Sequence, residues 1–247
     1  MFQTVFSVFW LLLNMDKGIA VVLARAGSKG LKDKNIRLLS GRPLIFHTLL
    51  LLASNNNIKK IIVSTDGEHI RQIIDDANLA KVEVYMRPTE LAGDDVTTQE
   101  TLKHVFNSLP PADKSCAFFV YMQVTEPVRP PGILDKCISA FRDNECDSVF
   151  AAYEMHKNFW VLDNKKASRL SPLGQAEKPR QKKERIYRED TGICCVTAPE
   201  IFANGNRVGT MPIIISYDHP GAFVDIHCEA DLALAEKILQ MEGSNVE

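Results

Sequence analysis

The sequence of 247 residues lacks the features that mark several large classes of protein. Its six cysteines include no C-x-x-C pair, so a zinc site or a disulfide framework is not expected and reduced thiols are favoured. The formal net charge is only -2, which argues against a nucleic-acid partner or a basic membrane-binding surface. We find no internal repeat. These absences leave one sizeable domain with its own core, and local basic clusters on it can still bind small anions.

No apolar run is long enough to span a bilayer, which takes about 20 residues. The longest run occupies residues 2–13 and lies before the first expected strand. Two interpretations stay open: a signal sequence, although a basic start and a small-x-small cleavage pattern are missing, or an extension upstream of the true initiator Met15. We therefore separate an apolar extension, residues 1–15, from one domain, residues 16–247. A signal sequence predicts the Golgi or secretory pathway, and the other interpretation predicts the cytoplasm, which the lack of an N-x-S/T sequon also favours.

From Gly18 onward, short β-branched runs alternate with amphipathic segments. This alternation predicts an α/β fold, a Rossmann-like, mainly parallel sheet flanked by helices and joined by short connections. The predicted strands are residues 19–23, 60–64, 82–85, 117–122, 148–152, 193–196 and 212–216. The predicted helices are residues 44–54, 68–77, 98–107, 132–141 and 229–240.

The alternation fails over residues 154–189, a polar and basic segment punctuated by Pro172, Gly174 and Pro179. We interpret this segment as an irregular arm or lid inserted between two parts of the sheet. Adjacent Cys194 and Cys195 follow it in an apolar run and are expected to be buried.

The loop after the first predicted strand, residues 24–35, combines small residues with basic ones. In an open parallel sheet, ligands bind beyond the carboxyl ends of the strands, where this loop lies. Its small residues let main-chain N–H groups approach phosphate oxygens, and Arg25, Lys29 and Lys34 supply countercharge. The loop matches neither the dinucleotide G-x-G-x-x-G motif nor the P-loop. Taken alone it is also compatible with an ordinary glycine turn carrying solvated lysines.

The string ARAGSKGLKDKNI in this loop resembles the signature of the acylneuraminate cytidylyltransferase family, the CMP-sialic acid synthetases. Further stretches continue the resemblance almost to the last helix: LLSGRPL at 38–44, VSTD at 63–66, the region from RP at 87–88 to TT at 97–98, QVTEP at 123–127, KPRQ at 178–181 and YREDTG at 187–192. The resemblance implies the nucleotide-diphospho-sugar transferase type of fold and a homodimer in which residues 154–189 form the dimerisation arm and contribute to sugar binding.

The activity implied by the resemblance is that of EC 2.7.7.43. The anomeric hydroxyl of a nonulosonic (sialic) acid attacks the α-phosphate of CTP, and pyrophosphate leaves. Catalysis of this kind rests on positioning and charge neutralisation. By the same resemblance Arg25 and Lys34 hold the phosphates, and Gln123, Arg180 and Tyr187 face the sugar acid. The remaining implied nucleotide-binding residues are Leu23, Ala24, Gly27, Ser28, Asn35, Arg87, Thr97 and Thr98.

Among the sugar-facing residues, Arg180 has the strongest chemical case, because a guanidinium fork matches a carboxylate. The alternative is that residues 178–188 form only a solvated basic segment.

The chain departs from the family where two aspartates, spaced D-x-D, hold Mg²⁺. Here the pair is Asp225 and His227. We expect a strand at this point, which would direct both side chains to the same face. Asp225 then carries Mg²⁺, since magnesium accepts one or two protein carboxylates with water and phosphate. His227 either acts as general base or shifts the preference to Mn²⁺ or another divalent ion, and the alternative is a tolerated replacement that weakens activity.

Two other functions stay open. The Glu126-Pro127 pair is closer to the turn of the Kdo-activating sister enzymes, although their loop after the first strand is shorter than the one here. A non-catalytic nucleotide-binding relative is the other, because the metal pair is altered. The converging cations Arg25, Lys34 and Arg180 argue against it, since an inactive site has no need of them.

Overall fold

The computed structural model describes residues 16–27, 30–170 and 177–243. The apolar run of residues 2–13 lies outside the described residues, so the signal sequence, the start at Met15 and the compartment all stay predictions. The strands are β1 (Gly18–Leu23), β2 (Leu38–Leu39), β3 (Arg42–Pro43), β4 (Ile58–Thr65), β5 (Val82–Met86), β6 (Phe119–Tyr121), β7 (Ser148–Met155), β8 (Trp160–Asp163), β9 (Lys166–Arg169), β10 (Ile186–Glu189), β11 (Cys195–Thr197) and β12 (Pro212–Tyr217). The α-helices are α1 (Leu44–Ser54), α2 (Glu68–Ala77), α3 (Thr98–Ser108), α4 (Pro111–Lys114), α5 (Ile133–Asp143), α6 (Pro199–Phe202) and α7 (Glu229–Gly243).

The main sheet has the strand order β10-β7-β11-β6-β1-β4-β5, and β12 pairs with β7. Strands β6, β1, β4 and β5 run parallel, and β12 is parallel to β7. Strand β11 is antiparallel to both β6 and β7, and β10 is antiparallel to β7. The prediction of a mainly parallel sheet flanked by helices is therefore confirmed.

The helices begin and end where local chemistry permits. Helix α3 starts at Thr97, whose side chain accepts from the Glu100 N–H while the Glu100 carboxylate accepts from Thr97 N–H, a capping box. Helix α2 ends at Asn78, which takes the left-handed conformation at φ 43°. Helix α1 is apolar almost throughout and buries its inner face, Leu44, Leu49 and Leu52 included, against the sheet.

The core lies on both faces of the sheet, as expected when strands are covered on two sides. One face packs β1 and β4 against α1, α2 and α5, and buried Cys194 belongs to it. The other face packs β1, β6 and β11 against α3 and α6, with Cys195 and a stacked Phe119–Phe202 pair. All six cysteines are free thiols, as predicted.

Two segments in the second half of the chain differ from the elements predicted for them. The segment 154–189 is not wholly irregular, because it contains the β8–β9 hairpin and then β10, which rejoins the main sheet beside β7. The strand predicted at 193–196 begins later, at Cys195, because Ile193 N–H bonds back to Asp190 O in a turn. The other predicted elements differ from the structure only at their ends, by up to two or three residues. Within the described part of the chain, no helix is long and apolar enough to cross a membrane.

The aromatic pair between β6 and α6 gives a test of the core. The rings of Phe119 and Phe202 stack with centroids 4.3 Å apart, and both side chains are fully buried. We expect Phe202→Ala to lower the free energy of unfolding by about 3–5 kcal/mol, because it removes buried apolar area and leaves a cavity. Urea denaturation measures this change. Met241→Ala, at a position 65% exposed near the end of α7, is the control and should stay within about 0.5 kcal/mol of the wild type. Equal losses in the two variants would contradict this account of the core.

Candidate active site

The loops that follow β1, β4, β5 and β6 meet at one edge of the sheet because these strands run parallel. Hydrogen bonds fix the loop after β1 to neighbouring loops and also brace it internally. Ala24 N–H donates to Ser64 O at 2.9 Å, Ala26 N–H donates to Asp66 Oδ1 at 2.8 Å, and the buried Asn35 amide donates to Arg25 O at 2.8 Å. Asn35 therefore supports the loop from inside.

The cations predicted to hold phosphates lie close together. Arg25 pairs with Asp94 at 2.9 Å on the exposed side of the loop. Burial lowers the pKa of Lys34, Arg25 lowers it further, and Asp225 and Asp231 raise it. Lys34 thus lies between a second cation and two carboxylates that come from the far end of the chain. Ser28 and Lys29 lie outside the described residues.

Arg87 and Thr97 occupy structural positions beside this loop. Arg87 is buried and donates to Ser64 O at 2.8 Å and Leu91 O at 3.4 Å, and burial lowers its pKa. Thr97 caps α3. Thr98 is within hydrogen-bonding reach of the buried Tyr121 phenol. These residues form part of the wall beside the loop of residues 24–35, which is called the phosphate loop after the binding predicted for it.

The Asp225–His227 segment is not a strand, contrary to the sequence prediction. It follows a short 3₁₀ helix, Pro220–Phe223, and its main chain bonds to neighbouring loops, with Ile226 N–H donating to Thr125 O at 2.8 Å. The two side chains nevertheless meet, with His227 Nε2 2.8 Å from Asp225 Oδ2. Both are exposed, His227 at 67% and Asp225 at 49%.

Gly30 brings the phosphate loop into contact with this pair. A Cβ atom built on Gly30 would lie 2.5 Å from the main-chain oxygen of His227. No side chain fits such a gap, so glycine is required for the close approach. The phosphate loop and the Asp225–His227 pair are therefore two sides of one site.

The donor set at the pair suits an open metal site rather than a closed one. Among the described residues, no group of three or more His, Cys, Asp or Glu side chains is placed to hold a metal ion. One carboxylate and one imidazole leave most of a coordination shell to water and ligand oxygens, which is the arrangement magnesium favours and manganese accepts.

A cavity of about 570 Å³ opens on the other side of Asp225. Gln123, predicted to face the sugar acid, lines this cavity. Tyr187 packs against the second face of the sheet instead, and the Arg180 side chain lies outside the described residues. The lining residues are Gln123, Glu126, Arg188, Glu189, Asp190, Thr191, Gly192, Arg207, Ala222, Phe223, Val224 and Asp225.

Two arginines line this cavity in different electrostatic states. Arg188 is bound to Asp190 through both Nε, at 2.6 Å, and Nη2, at 3.0 Å, and the Tyr217 hydroxyl donates to the same carboxylate at 2.7 Å. Arg207 donates to Thr191 Oγ1 at 2.7 Å and comes only within 4.0 Å of the Glu189 carboxylate. The charge of Arg188 is therefore largely neutralised, and Arg207 keeps more of its own.

Glu126 is the most deeply set carboxylate of the cavity without a fixed partner. Burial raises its pKa to about 7, and Asp225 and Asp190 add to the rise while Arg129 and Arg188 oppose it. Its Oε2 occupies the space above Gly192, only 1.5 Å from where a Cβ would lie. Glycine at 192 is therefore what lets Glu126 reach the cavity.

The sequence stretches that resemble the family already contain several residues whose importance only the structure reveals. Glu126 lies in QVTEP, and Arg188, Asp190 and Thr191 lie in YREDTG. The burial of these four side chains and their hydrogen-bond partners could not be predicted from the sequence. Arg129, Arg207 and Tyr217 lie in no quoted stretch, and no local signal would have identified them.

The Gly30 contact predicts a stability difference between two glycines of one loop. Gly30→Ala should lower the free energy of unfolding by about 1–3 kcal/mol, because the added methyl group forces the His227 main chain away. Gly27→Ala is the matched control, since nothing lies within 4 Å of its Cβ position, and it should change stability by less than about 1 kcal/mol. Urea denaturation compares them. If the Gly30 variant were as stable as the Gly27 variant, the two sides of the site would not be packed through this residue.

The raised pKa of Glu126 predicts a stability that depends on pH. A carboxyl group with a folded-state pKa of about 7 and an ordinary value of 4.5 favours folding when protonated. Its contribution is complete below 4.5 and is lost as the pH rises through 7. Glu126→Gln cannot ionise, so at about pH 8 it should be more stable than the wild type by up to about 3 kcal/mol.

The measurement is urea denaturation at about pH 5 and about pH 8, with the exposed Glu145→Gln variant as control. At the lower pH the gain from Glu126→Gln should shrink. A gain of the same size at both values would show that Glu126 titrates as an ordinary surface carboxylate.

Comparison with known proteins agrees with this geometry. The family model described as Cytidylyltransferase matches residues 19–196. The N-acylneuraminate cytidylyltransferase of Streptococcus agalactiae is 34% identical over 144 residues, which are 58% of this chain and 33% of that protein. The CMP-N,N'-diacetyllegionaminic acid synthase of Legionella pneumophila is 29% identical over 90% of this chain and 96% of its own length. The chain thus spans about a third of the length of the streptococcal relatives it matches.

Solved structures show the same fold at low sequence identity. The CMP:2-keto-3-deoxy-manno-octonic acid synthetase complexed with CTP superposes with a TM-score of 0.65 at 15% identity, over 92% of this chain and 99% of that one. The 4-diphosphocytidyl-2C-methyl-D-erythritol synthase of Anaerococcus prevotii gives a TM-score of 0.66 at 14% identity, over 91% and 99%. With the family model covering most of the domain, the phosphate loop included, this chain belongs to the cytidylyltransferase family.

Proposed function

We propose that the chain transfers CMP from CTP to the anomeric hydroxyl of a nonulosonic acid of the sialic type, releasing pyrophosphate. The observation that carries this proposal is the contact through Gly30 between a cationic loop and the Asp225–His227 pair, beside a polar cavity. A triphosphate on the loop and a sugar acid in the cavity would meet at Asp225, which faces both sides. Holding two reactants in this way is itself a large part of catalysis.

The chain's own residues neutralise the phosphates. Arg25 and Lys34 approach from the loop, and the loop's main-chain N–H groups donate to phosphate oxygens. The N–H groups of Ala24 and Ala26 already donate to Ser64 and Asp66. The other main-chain groups of residues 23–27 would therefore bind the cytosine base. Arg87 has a structural role, because its hydrogen bond to Ser64 O stabilises the wall beside the phosphate loop. Thr97 and Thr98 lie next to this wall, at the start of α3.

The Asp225–His227 pair would hold a divalent cation when CTP is bound. Asp225 would hold it, with His227 as a second ligand, and the ion would supply charge neutralisation as pyrophosphate leaves. His227 suits Mn²⁺ better than Mg²⁺, because imidazole is a softer ligand than a carboxylate.

The sugar acid belongs in the cavity lined by Gln123 and Arg207. Arg207 offers a guanidinium that is less neutralised than that of Arg188, and its orientation is fixed by Thr191. Arg180, in the arm, is a further proposed ligand of the sugar-acid carboxylate.

A Kdo-type substrate is the second candidate. The named relatives act on sialic-type acids, but one of the two solved structures is a synthetase for the eight-carbon acid 2-keto-3-deoxy-manno-octonic acid. The Glu126-Pro127 turn favours that candidate.

A homodimer is part of the proposal. The β8–β9 hairpin extends the arm and exposes several apolar side chains, Trp160 at 55% and Leu162 at 72% among them. Apolar side chains clustered on a protruding hairpin are typical of a surface that another copy covers. Size-exclusion chromatography with light scattering tests this state directly.

The first functional prediction concerns the reaction itself. Pyrophosphate should be released from CTP only when a sugar acid is present, and N-acetylneuraminic acid should support a larger kcat/KM than 2-keto-3-deoxy-manno-octonic acid. A coupled pyrophosphate assay with both acids measures this. The reverse order would favour the Kdo-type enzyme. Binding of CTP without pyrophosphate release would favour the non-catalytic relative.

The second functional prediction concerns the metal pair. Asp225→Asn should lower kcat by about 100-fold or more, because a charged ligand near the departing phosphates is lost. His227→Asp should raise turnover with Mg²⁺ and remove a preference for Mn²⁺. The assays use each ion separately, and calorimetry of Mn²⁺ binding in the presence of CTP gives a readout besides activity. Exposed Asp143→Asn, on the far end of α5, is the control. An unchanged ion preference in His227→Asp would remove His227 from the metal site.

A further inference from the structure

We propose that Glu126 is the general base that accepts the proton of the attacking sugar hydroxyl. This inference rests on the proposed function, and it assigns the base to a half-buried carboxylate of the proposed sugar cavity rather than to His227. One of the hypotheses drawn from the sequence makes His227 the base, but its side chain is 67% exposed and already shares a hydrogen bond with Asp225.

The carboxylates of the cavity differ in whether they already have hydrogen-bond or ion-pair partners. Four line it: Glu126, Glu189, Asp190 and Asp225. Asp190 is saturated by Arg188 and Tyr217, Asp225 bonds to His227, and Glu189 lies within 4.0 Å of Arg207. Within the described part of the chain, no hydrogen bond or ion pair reaches the Glu126 carboxylate. A ligand that brings a hydroxyl group supplies the missing donor.

The second argument is the arrangement of Arg129 beneath Glu126. Arg129 is half-buried and lowers the pKa of the Glu126 carboxyl through space. Its own N–H groups are used elsewhere, on Ile193 O at 3.1 Å, on Thr48 Oγ1 at 3.1 Å and on the carbonyl oxygens of Gln123 and Gly192. Arg129 therefore supplies charge that keeps Glu126 ionisable without occupying the oxygens that must accept a proton.

The third argument is position. Thr125 O accepts from Ile226 N–H at 2.8 Å, so the turn that carries Glu126 is fixed to the segment between Asp225 and His227. Gly192 leaves the space that the Glu126 carboxylate fills. Glu126 thus lies on the sugar side of Asp225, while Lys34 lies on its phosphate side. No hydrogen bond joins Glu126 to Asp225 within the described residues.

The protonation behaviour of Glu126 suits the role. Its pKa of about 7 lies near neutral pH, where a carboxylate is both present and basic enough to take a proton efficiently. The charged and titratable groups that act on it or respond to it are Arg129, Arg188, Asp190, Asp225, Tyr121 and Tyr217.

In the proposed step, the anomeric hydroxyl of the sugar acid attacks the α-phosphorus of CTP. The anomeric O–H bond breaks and its proton passes to a Glu126 oxygen, while an oxygen electron pair forms the new bond to the α-phosphorus. The bond from the α-phosphorus to the oxygen that bridges to the β-phosphorus breaks, and its electron pair leaves with pyrophosphate. Glu126 returns the proton to water after the products depart.

The experiment compares Glu126→Gln, Glu126→Asp and the exposed control Glu145→Gln. We expect Glu126→Gln to lower kcat by about 100-fold to 10,000-fold, which is the usual contribution of a general base. The KM values for CTP and N-acetylneuraminic acid should change by less than about threefold, since binding is kept. The kcat of the wild type should fall below about pH 7, that acidic limb should vanish in Glu126→Gln, and Glu126→Asp should retain part of it. Calorimetry of CTP binding shows that each variant is folded.

Each other outcome overturns the proposal. If Glu126→Gln raises KM and leaves kcat unchanged, Glu126 only binds substrate. If the acidic limb persists in Glu126→Gln but vanishes in His227→Gln, the base is His227. A titration of the glutamate side-chain carbon by ¹³C NMR in the free protein is independent of turnover, and an ordinary carboxyl pKa there would also reject the assignment. A wild type that releases no pyrophosphate with any sugar acid, yet shows the raised pKa, would instead reject the proposed function and the base with it.

Discussion

The half-buried guanidinium of Arg129 joins two chain segments that line the polar cavity. Strand β11 enters the sheet antiparallel to β6, so the amino end of one lies beside the carboxyl end of the other. Arg129 donates to main-chain oxygens on both sides of this meeting point. Burial lowers its pKa only to about 10, so it is charged at neutral pH. Removing the Arg129 side chain would leave several carbonyl groups without hydrogen-bond donors. It would also remove a positive charge that lies near the Glu126 carboxylate.

Two glycines then set how closely the parts of the site approach. Gly30 lets the phosphate loop touch the His227 main chain, and Gly192 leaves the space that the Glu126 carboxylate fills. In both places a methyl group would collide with an atom of the site itself. Neither glycine takes a positive φ, so close packing and not backbone conformation explains them. The geometry of the site is thus set by small gaps between loops as much as by the charged side chains.

The sequence predicts well what is decided locally and poorly what is decided by distant contacts. Strands β1, β4 and β5 and helices α1, α2 and α3 were predicted nearly to the residue, because periodicity and capping residues mark them. Strands β10 and β11 both pair antiparallel with β7. Their direction and their place in the sheet depend on this pairing, which no local sequence pattern reveals. Asp225 and His227 were placed on a strand that does not exist, yet their side chains meet because loop contacts orient them. The sequence shows a glutamate at position 126. It does not show that this side chain is half-buried or that, within the described residues, its carboxylate has no hydrogen-bond partner.

The distribution of charge explains why no single motif carries the site. The phosphate side draws its cations from the loop after β1 and its carboxylates from the start of α7 and the segment before it. The cavity side has four carboxylates against two arginines, and one of those arginines is largely neutralised by Asp190. In the proposed reaction, two anionic reactants would meet at a boundary between a basic surface and an acidic one, with Asp225 on that boundary. An exchange of one carboxylate for His227 there reduces negative charge where anions must approach. The altered pair is for this reason compatible with a working site, provided that a group outside the pair accepts the proton.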